Sequence, residues 1–396
     1  LKSICPQSRR LLSSRYQRMG DDWAPPPLDE SLKAAYVSRV RKAKRGILAG
    51  VDSGLFESKR PPGPSDWLNG PGVKDRGGQT FAQWNMERRR KPEKGDVIRL
   101  VPLGSLDPED LDVEWLCQCV RCFFTGMDVE VLPAVATDAL LRQVTHREND
   151  YGTQLLTQDI HRLLDVQHGK RKGVNAFVTM GFSLYDLYPR PEWNFVFGQA
   201  KPFQGTGVFS FARYRAHDRK QFHMRCAKVL CHEIGHLFGL SHCIWFQCVM
   251  CGSNGDWESD QHPAHMCPVC LAKLDAALGG VNLVAREAAL EEFWRGSGFE
   301  AEAEWCQRRR EAMELSTARA SQKNGTTEAP SARNSSNAAH RKLPRASART
   351  PPPDLQASTT QRQAGNRTRT PTRTSAVRAR TPPAASQRPT SAPRRR

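Results

Sequence analysis

Apolar residues at Cys226, Val229, Leu230, Ile234, Leu237 and Phe238 recur at three- and four-residue spacing, which predicts a helix over about 221–238. Upstream, the run DVIRLVP at 96–102 predicts a strand, and 106–124 a helix with Asp107, Glu109 and Asp110 in its first turn. Residues 127–133 read as the next strand, 157–164 as a helix, and VNAFVTMGF at 174–182 as a buried strand. Two further strands are expected at 194–198 and 207–214, and helices at 271–278, 284–294 and 300–315. The alternation predicts an α/β (α+β) domain over 94–315.

Both flanks lack this patterning. Pro25-Pro26-Pro27, Pro61-Pro62-Gly63-Pro64 and Gly70-Pro71-Gly72 break up residues 1–93, an irregular segment with one short helix expected at 31–44. Trp23, Trp67, Phe81 and Trp84 are placed to pin that segment onto its neighbour. Residues 316–396 hold no aromatic residue except His340 and only three large aliphatics, Leu343, Leu355 and Val377. Such a stretch buries too little to offset the entropy of ordering, so a disordered tail is expected.

Charge separates the same two regions. Of 59 basic and 41 acidic residues, 17 and 2 fall in residues 316–396, so the tail supplies 15 of the 18 net positive charges. The folded part is close to neutral, and the basic residues of the tail lack aromatics for base stacking. They suit salt-sensitive contacts with acidic partners and predict no sequence-specific nucleic-acid binding. No run of apolar residues is long enough for a transmembrane helix.

The chemistry lies on the helix over 221–238. His232-Glu233-Ile234-Gly235-His236 is an H-E-x-x-H motif, and two imidazoles at i and i+4 share one helix face and can hold one zinc ion. Glu233 is placed to act as general base on a water at that zinc. The motif continues through Gly239 to His242. A glycine lets the chain turn back beneath the metal, so His242 becomes a third ligand. Three protein ligands with an open fourth position mark a catalytic zinc. Met250 is expected as an apolar floor beneath it.

Twelve cysteines are too few for a disulfide scaffold, and they cluster. Cys243, Cys248, Cys267 and Cys270 follow C-x4-C…C-x2-C spacing, which suits a second, structural zinc, with Cys251 spare. Cys117, Cys119 and Cys122 lack nearby histidines and read as small apolar residues of a buried helix. His262 and His265 are expected to be solvent-exposed. Reduced thiols and the lack of a secretory signal point to an intracellular protein, cytoplasmic or nuclear. The basic, acid-free stretch Leu1–Gly20 leaves organelle targeting as a second reading.

The combined run from His232 to Cys270 resembles the archaemetzincins (archaelysins), a small family of metzincin-type zinc metallopeptidases. The likeness extends upstream to Tyr185–Pro189, Asn194–Gly198 and Val208–Tyr214. It covers about Lys94 to Leu278; the long basic tail lies outside the family core. The resemblance implies a metzincin-like zincin domain with a twisted mixed sheet, an active-site helix and a Met-turn. It implies two zinc ions, catalytic on His232, His236 and His242 and structural on the four thiols. It also implies hydrolysis of peptide or protein substrates, aminopeptidase-like with narrow specificity, by a chain expected to be monomeric. A second reading is a catalytically weak, zinc-stabilised interaction protein that uses its basic tail. For the developing oxyanion, Tyr185, Tyr188 and Tyr214 are equal candidates.

Overall fold

The computed structural model describes residues 23–27, 46–70, 73, 77–87, 91–106, 111–168 and 176–325. Among these, the strands are β1 (Val97–Pro102), β2 (Asp128–Val131), β3 (His146–Asn149), β4 (Gly152–Leu156), β5 (Ala176–Ser183), β6 (Asp186–Tyr188), β7 (Gly198–Lys201) and β8 (Thr206–Ser210). The helices are α1 (Phe81–Met86), α2 (Val113–Phe123), α3 (Thr137–Gln143), α4 (Thr157–His168), α5 (Arg219–Leu237), α6 (Asp256–Asp260), α7 (Pro268–Ala277), α8 (Leu283–Gly296) and α9 (Glu300–Gly325).

The principal sheet has the order β2-β1-β5-β8-β7. Its first four strands are parallel and only the edge strand β7 runs antiparallel, against β8. Every residue of the central strand β5 is buried, as expected where helices cover both faces of a sheet. Ile98, Leu100, Met180 and Phe209 belong to the core shared with α2, α5 and α8. Val101, Leu103 and Val208 face the other way, into a second core with Leu140 of α3 and Ile160, Leu163 and Leu164 of α4. The fold is therefore mixed α/β, as the alternation of elements predicts.

Elements that carry a strong apolar period lie near their predicted positions, with shifted ends. Helix α2 starts at Val113 rather than near Leu106, because the Asp112 carboxylate caps it by accepting the Trp115 N–H. The strand expected at 194–198 begins only at Gly198, and the one expected to reach Tyr214 ends at Ser210. Helix α9 continues to Gly325, past the point where the sequence reading begins the tail. The remainder of that tail, 326–396, lies outside the described residues, as do the helix expected at 31–44, the stretch 1–20 and the acidic residues 107–110. Helices α3 and α6 and the small sheet β3-β4-β6 are not anticipated by the sequence. They are short, and β3 alternates exposed with half-buried polar residues, so no apolar period marks it.

The proline-rich region joins the main core. Trp67 and Trp84 are buried, and Trp23 and Phe81 pack against the same cluster. The strap pairs backbone to backbone with the loop after α5, through Lys59 N–H to Trp245 O and Gln247 N–H to Glu57 O. The Trp84 indole N–H donates to Phe238 O at the end of α5. Two distant segments of sequence thus meet around the end of the motif helix.

Candidate metal centres and substrate cleft

Helix α5 is fixed at its start by Asp218, whose carboxylate accepts the N–H groups of Lys220 and Gln221. It ends just before Gly239, whose φ of 80° is one that L side chains rarely adopt. That turn brings His242 back against the helix. The rings of His232 and His236 lie 4.6 Å apart, and the His242 ring lies 5.3 and 4.9 Å from them. One nitrogen from each falls within 4.8 Å of the others, close enough to share a metal ion.

The donor chemistry fits zinc. His232 Nδ1–H donates to Val249 O at 2.8 Å and His236 Nδ1–H to Leu240 O at 2.6 Å. These bonds fix the tautomer with the proton on Nδ1, which makes Nε2 the nitrogen able to ligate a metal. Burial, reinforced by the neighbouring imidazoles, holds His232 far below the usual histidine range and His242 at about 3. Neutral imidazole is the form that ligates. Glu233, between the two helix histidines, is 8% exposed, and burial pushes its carboxyl up to about 8. A dication beside it acts in the opposite direction, favouring the carboxylate. Its position is set from above by β7, since a Cβ at Gly198 would lie 2.7 Å from Glu233 Cδ.

The four thiols sit directly behind. Cys243, Cys248, Cys267 and Cys270 are fully buried with their sulfurs within 4.8 Å of one another. Cys243 Sγ and Cys267 Sγ are 3.5 Å apart, against the ~3.8 Å expected between thiolates of a tetrahedral zinc with ~2.3 Å bonds. Cys248 Sγ also accepts the backbone N–H groups of Met250 and Cys267. Cys243 N–H donates to Met250 O, so the thiol cluster, the loop bearing His242 and Met250 are one connected unit. Cys251 lies outside the foursome, its thiol donating to Phe246 O. Cys117, Cys119 and Cys122 are buried on α2 and pack as apolar residues.

His262 and His265 overturn one expectation. His262 is buried, and the His265 ring stacks on Trp305 with centroids 3.5 Å apart. The sequence misleads here because Asp256–His265 is mostly polar. It is drawn inward by Arg225 of α5, which pairs with Asp256 at 3.0 Å and through Nε with Asp260 at 2.8 Å.

A cavity of about 350 Å³ opens beside His232 and His242 and is lined by Glu233, Tyr214, Trp67, Gly198 and Lys228 among others. Of the three candidate tyrosines only Tyr214 lines it. Burial and the nearby Glu233 hold its phenol above the usual range. Tyr188 is buried under the Arg147 guanidinium, and the Tyr185 ring packs on Gly104. Lys228 and Trp67 carry no motif, and only the fold reveals that they reach the cleft.

Comparison with known proteins agrees with this chemistry. The family model described as Peptidase family M54 matches residues 132–276. Archaemetzincin-2 of Macaca fascicularis is 34% identical over 276 residues, covering 60% of this chain and 74% of that protein. Archaemetzincin-2 of Rattus norvegicus is 34% identical over 273 residues with the same coverage. Human archaemetzincin-1 is 28% identical over 288 residues, 63% of this chain and 57% of that one. The crystal structure of archaemetzincin from Methanopyrus kandleri aligns with a TM-score of 0.37 at 28% identity, over 47% of this chain and 98% of that one. The family match and the archaemetzincin-2 relatives define a zinc metallopeptidase, a hydrolase acting on peptide or protein substrates. The chain belongs to the archaemetzincin family. The reading as an interaction protein with a decayed site is not favoured. No helix among the described residues is long and apolar enough to cross a membrane.

Proposed function

We propose that His232, His236 and His242 hold the catalytic zinc, that Cys243, Cys248, Cys267 and Cys270 hold a structural one, and that Glu233 is the general base. The observation that carries this reading is the convergence of three half-buried imidazoles, two of which line one cavity together with the buried Glu233 carboxylate. Zinc, when bound there, supplies Lewis acidity that polarises a carbonyl and lowers the pKa of a water. The chain's own groups do the rest. Glu233 takes a proton from the attacking water and delivers it to the departing amine nitrogen. The Tyr214 hydroxyl, in the same cavity, is positioned to donate to the oxyanion that forms on the scissile carbonyl. Val196, Phe197 and Gly198 run along the cavity into the edge strand β7, whose outer backbone is suited to pair with an extended peptide.

The site lies within a metzincin-like domain over 94–315, and the specificity is narrow and aminopeptidase-like. Support for narrowness comes from the strap, since Trp67 stands 4.8 Å from the His242 ring and walls one side of the cavity. The basic tail, 316–396, is an accessory segment for acidic partners. The test is to expose wild-type protein and a Glu233→Ala variant, both checked for zinc, to a diverse peptide library. Cleavage by wild type alone supports the base, and the positions cut separate exo- from endopeptidase action. Equal cleavage by the variant would remove Glu233 from the mechanism.

A further inference from the structure

We infer that the inner part of this cavity, around Lys228, is a subsite for a substrate carboxylate. The inference rests on the peptidase reading above and names what that site prefers. Lys228 stands four residues before His232 on α5, so the two side chains share a helix face about one turn apart. It is 7% exposed and lines the same cavity as Glu233. Its ammonium donates to Ser259 O at 2.7 Å and His262 O at 2.9 Å, both neutral acceptors. An ammonium has three N–H groups, so one donor remains.

The charge lacks a direct partner. Among the described residues no carboxylate forms an ion pair with Lys228. Asp256 and Asp260 of the adjacent helix are engaged by Arg225, and the Glu258 carboxylate accepts the backbone N–H groups of Trp67 and Asn254. Asp260 and Glu302 act on the ammonium only through the field. Anchoring the Ser259–His262 turn explains two hydrogen bonds but not the charge, because a neutral donor would anchor it at lower desolvation cost.

A second donor points to the same ligand chemistry. Trp67 lines the cavity, and its buried indole N–H has no partner among the described residues. Val73, Val196, Val229 and Val249 supply apolar walls. A carboxylate on a short methylene stem matches this set, with its stem on the valines and its oxygens toward Lys228 and Trp67. A cationic side chain would place like charges together. The carboxylate can come from an Asp or Glu side chain near the scissile bond or from the free C-terminus of a short peptide.

The test uses the zinc-loaded full chain with Glu233→Gln, which retains the cleft without turnover. Binding is measured for peptide pairs that differ by Glu against Gln at one position, or by a free against an amidated C-terminus. The expected result is about tenfold tighter binding of the acid in one of the two series, which identifies its source. Adding Lys228→Met should abolish the difference and Lys228→Arg should retain it. Equal binding within both series, or a preference that survives Lys228→Met, overturns the subsite. The peptide pairs keep the test decisive even if a Lys228 variant misfolds. Cleavage of the same peptides by wild type separates the two ideas. An acid preference in binding with no cleavage sinks the peptidase reading alone, whereas cleavage without preference sinks the subsite alone.

Discussion

The Met250 sulfur lies against the backbone of Gly235, so that a Cβ added at Gly235 would sit 2.6 Å from Met250 Sδ. Glycine in the fourth position of the motif is therefore a packing requirement, set by a methionine fifteen residues away. The same methionine is joined to the thiol cluster through its carbonyl, which accepts the Cys243 N–H. Met250 thus ties the helix that carries His232 and His236 to the loop that carries the thiols.

Gly235→Ala should accordingly destabilise the protein by about 1–3 kcal/mol, the usual cost of overpacking a filled core. Met250→Ala opens the space, so the double variant should be less destabilised than the sum of the singles. Thermal unfolding of all four proteins checks this. Strict additivity would mean that the two residues do not press on each other.

The two metal sites should respond separately. His236→Ala is expected to lose one zinc equivalent by elemental analysis while keeping a cooperative melt, because its ring is half-buried rather than part of the core. Cys267→Ser together with Cys270→Ser should lose the other equivalent and lower stability markedly, since these thiols are fully buried. A single zinc in the wild-type protein, with either set of variants leaving it bound, would refute the two-site assignment.

How much of this was legible in the sequence follows from which residues carry periodic or motif signals. Helix α5, both clusters of candidate ligands and the strands β1 and β5 announce themselves by spacing. The inward turn of Asp256–His265 does not, because burial there depends on Arg225 reaching across to two carboxylates, a tertiary pairing that no local pattern encodes. Lys228 is hidden for the same reason: a lysine on an amphipathic helix reads as solvated, and only the Ser259 and His262 carbonyls show otherwise. Trp67 lies among prolines and glycines, where its burial against His242 has no periodic sign.

Gly198 offers a probe of catalytic geometry that leaves the ligands untouched. A methyl group there would meet the Glu233 carboxyl at 2.7 Å and the Phe209 Cβ at 2.9 Å. Since Phe209 is held in β8, the carboxylate is the group that moves. Gly198→Ala should retain zinc and lower kcat by about 100-fold, the scale expected for displacing a reacting group by ~1 Å. An unchanged kcat would show that Glu233 does not need its present position.

His161 predicts how acid acts on the fold. The ring is buried on α4, with Nδ1 3.0 Å from Thr206 Oγ1 of β8. Burial, helped by the Lys201 charge, depresses its pKa from 6.5 to about 3. The folded state thus keeps the ring neutral while the unfolded chain protonates it below about 6.5. The stabilising contribution is present in full above 6.5 and is lost as pH falls toward 3, because the unfolded state then binds the extra proton. Between pH 7 and 5 this one group should cost about 2 kcal/mol. His161→Gln removes the titration, so its stability should fall less over that interval than that of wild type, whatever its value at pH 7. Denaturant unfolding at pH 7, 6 and 5 measures both slopes, and parallel slopes would show that His161 titrates alike in the folded and unfolded chains.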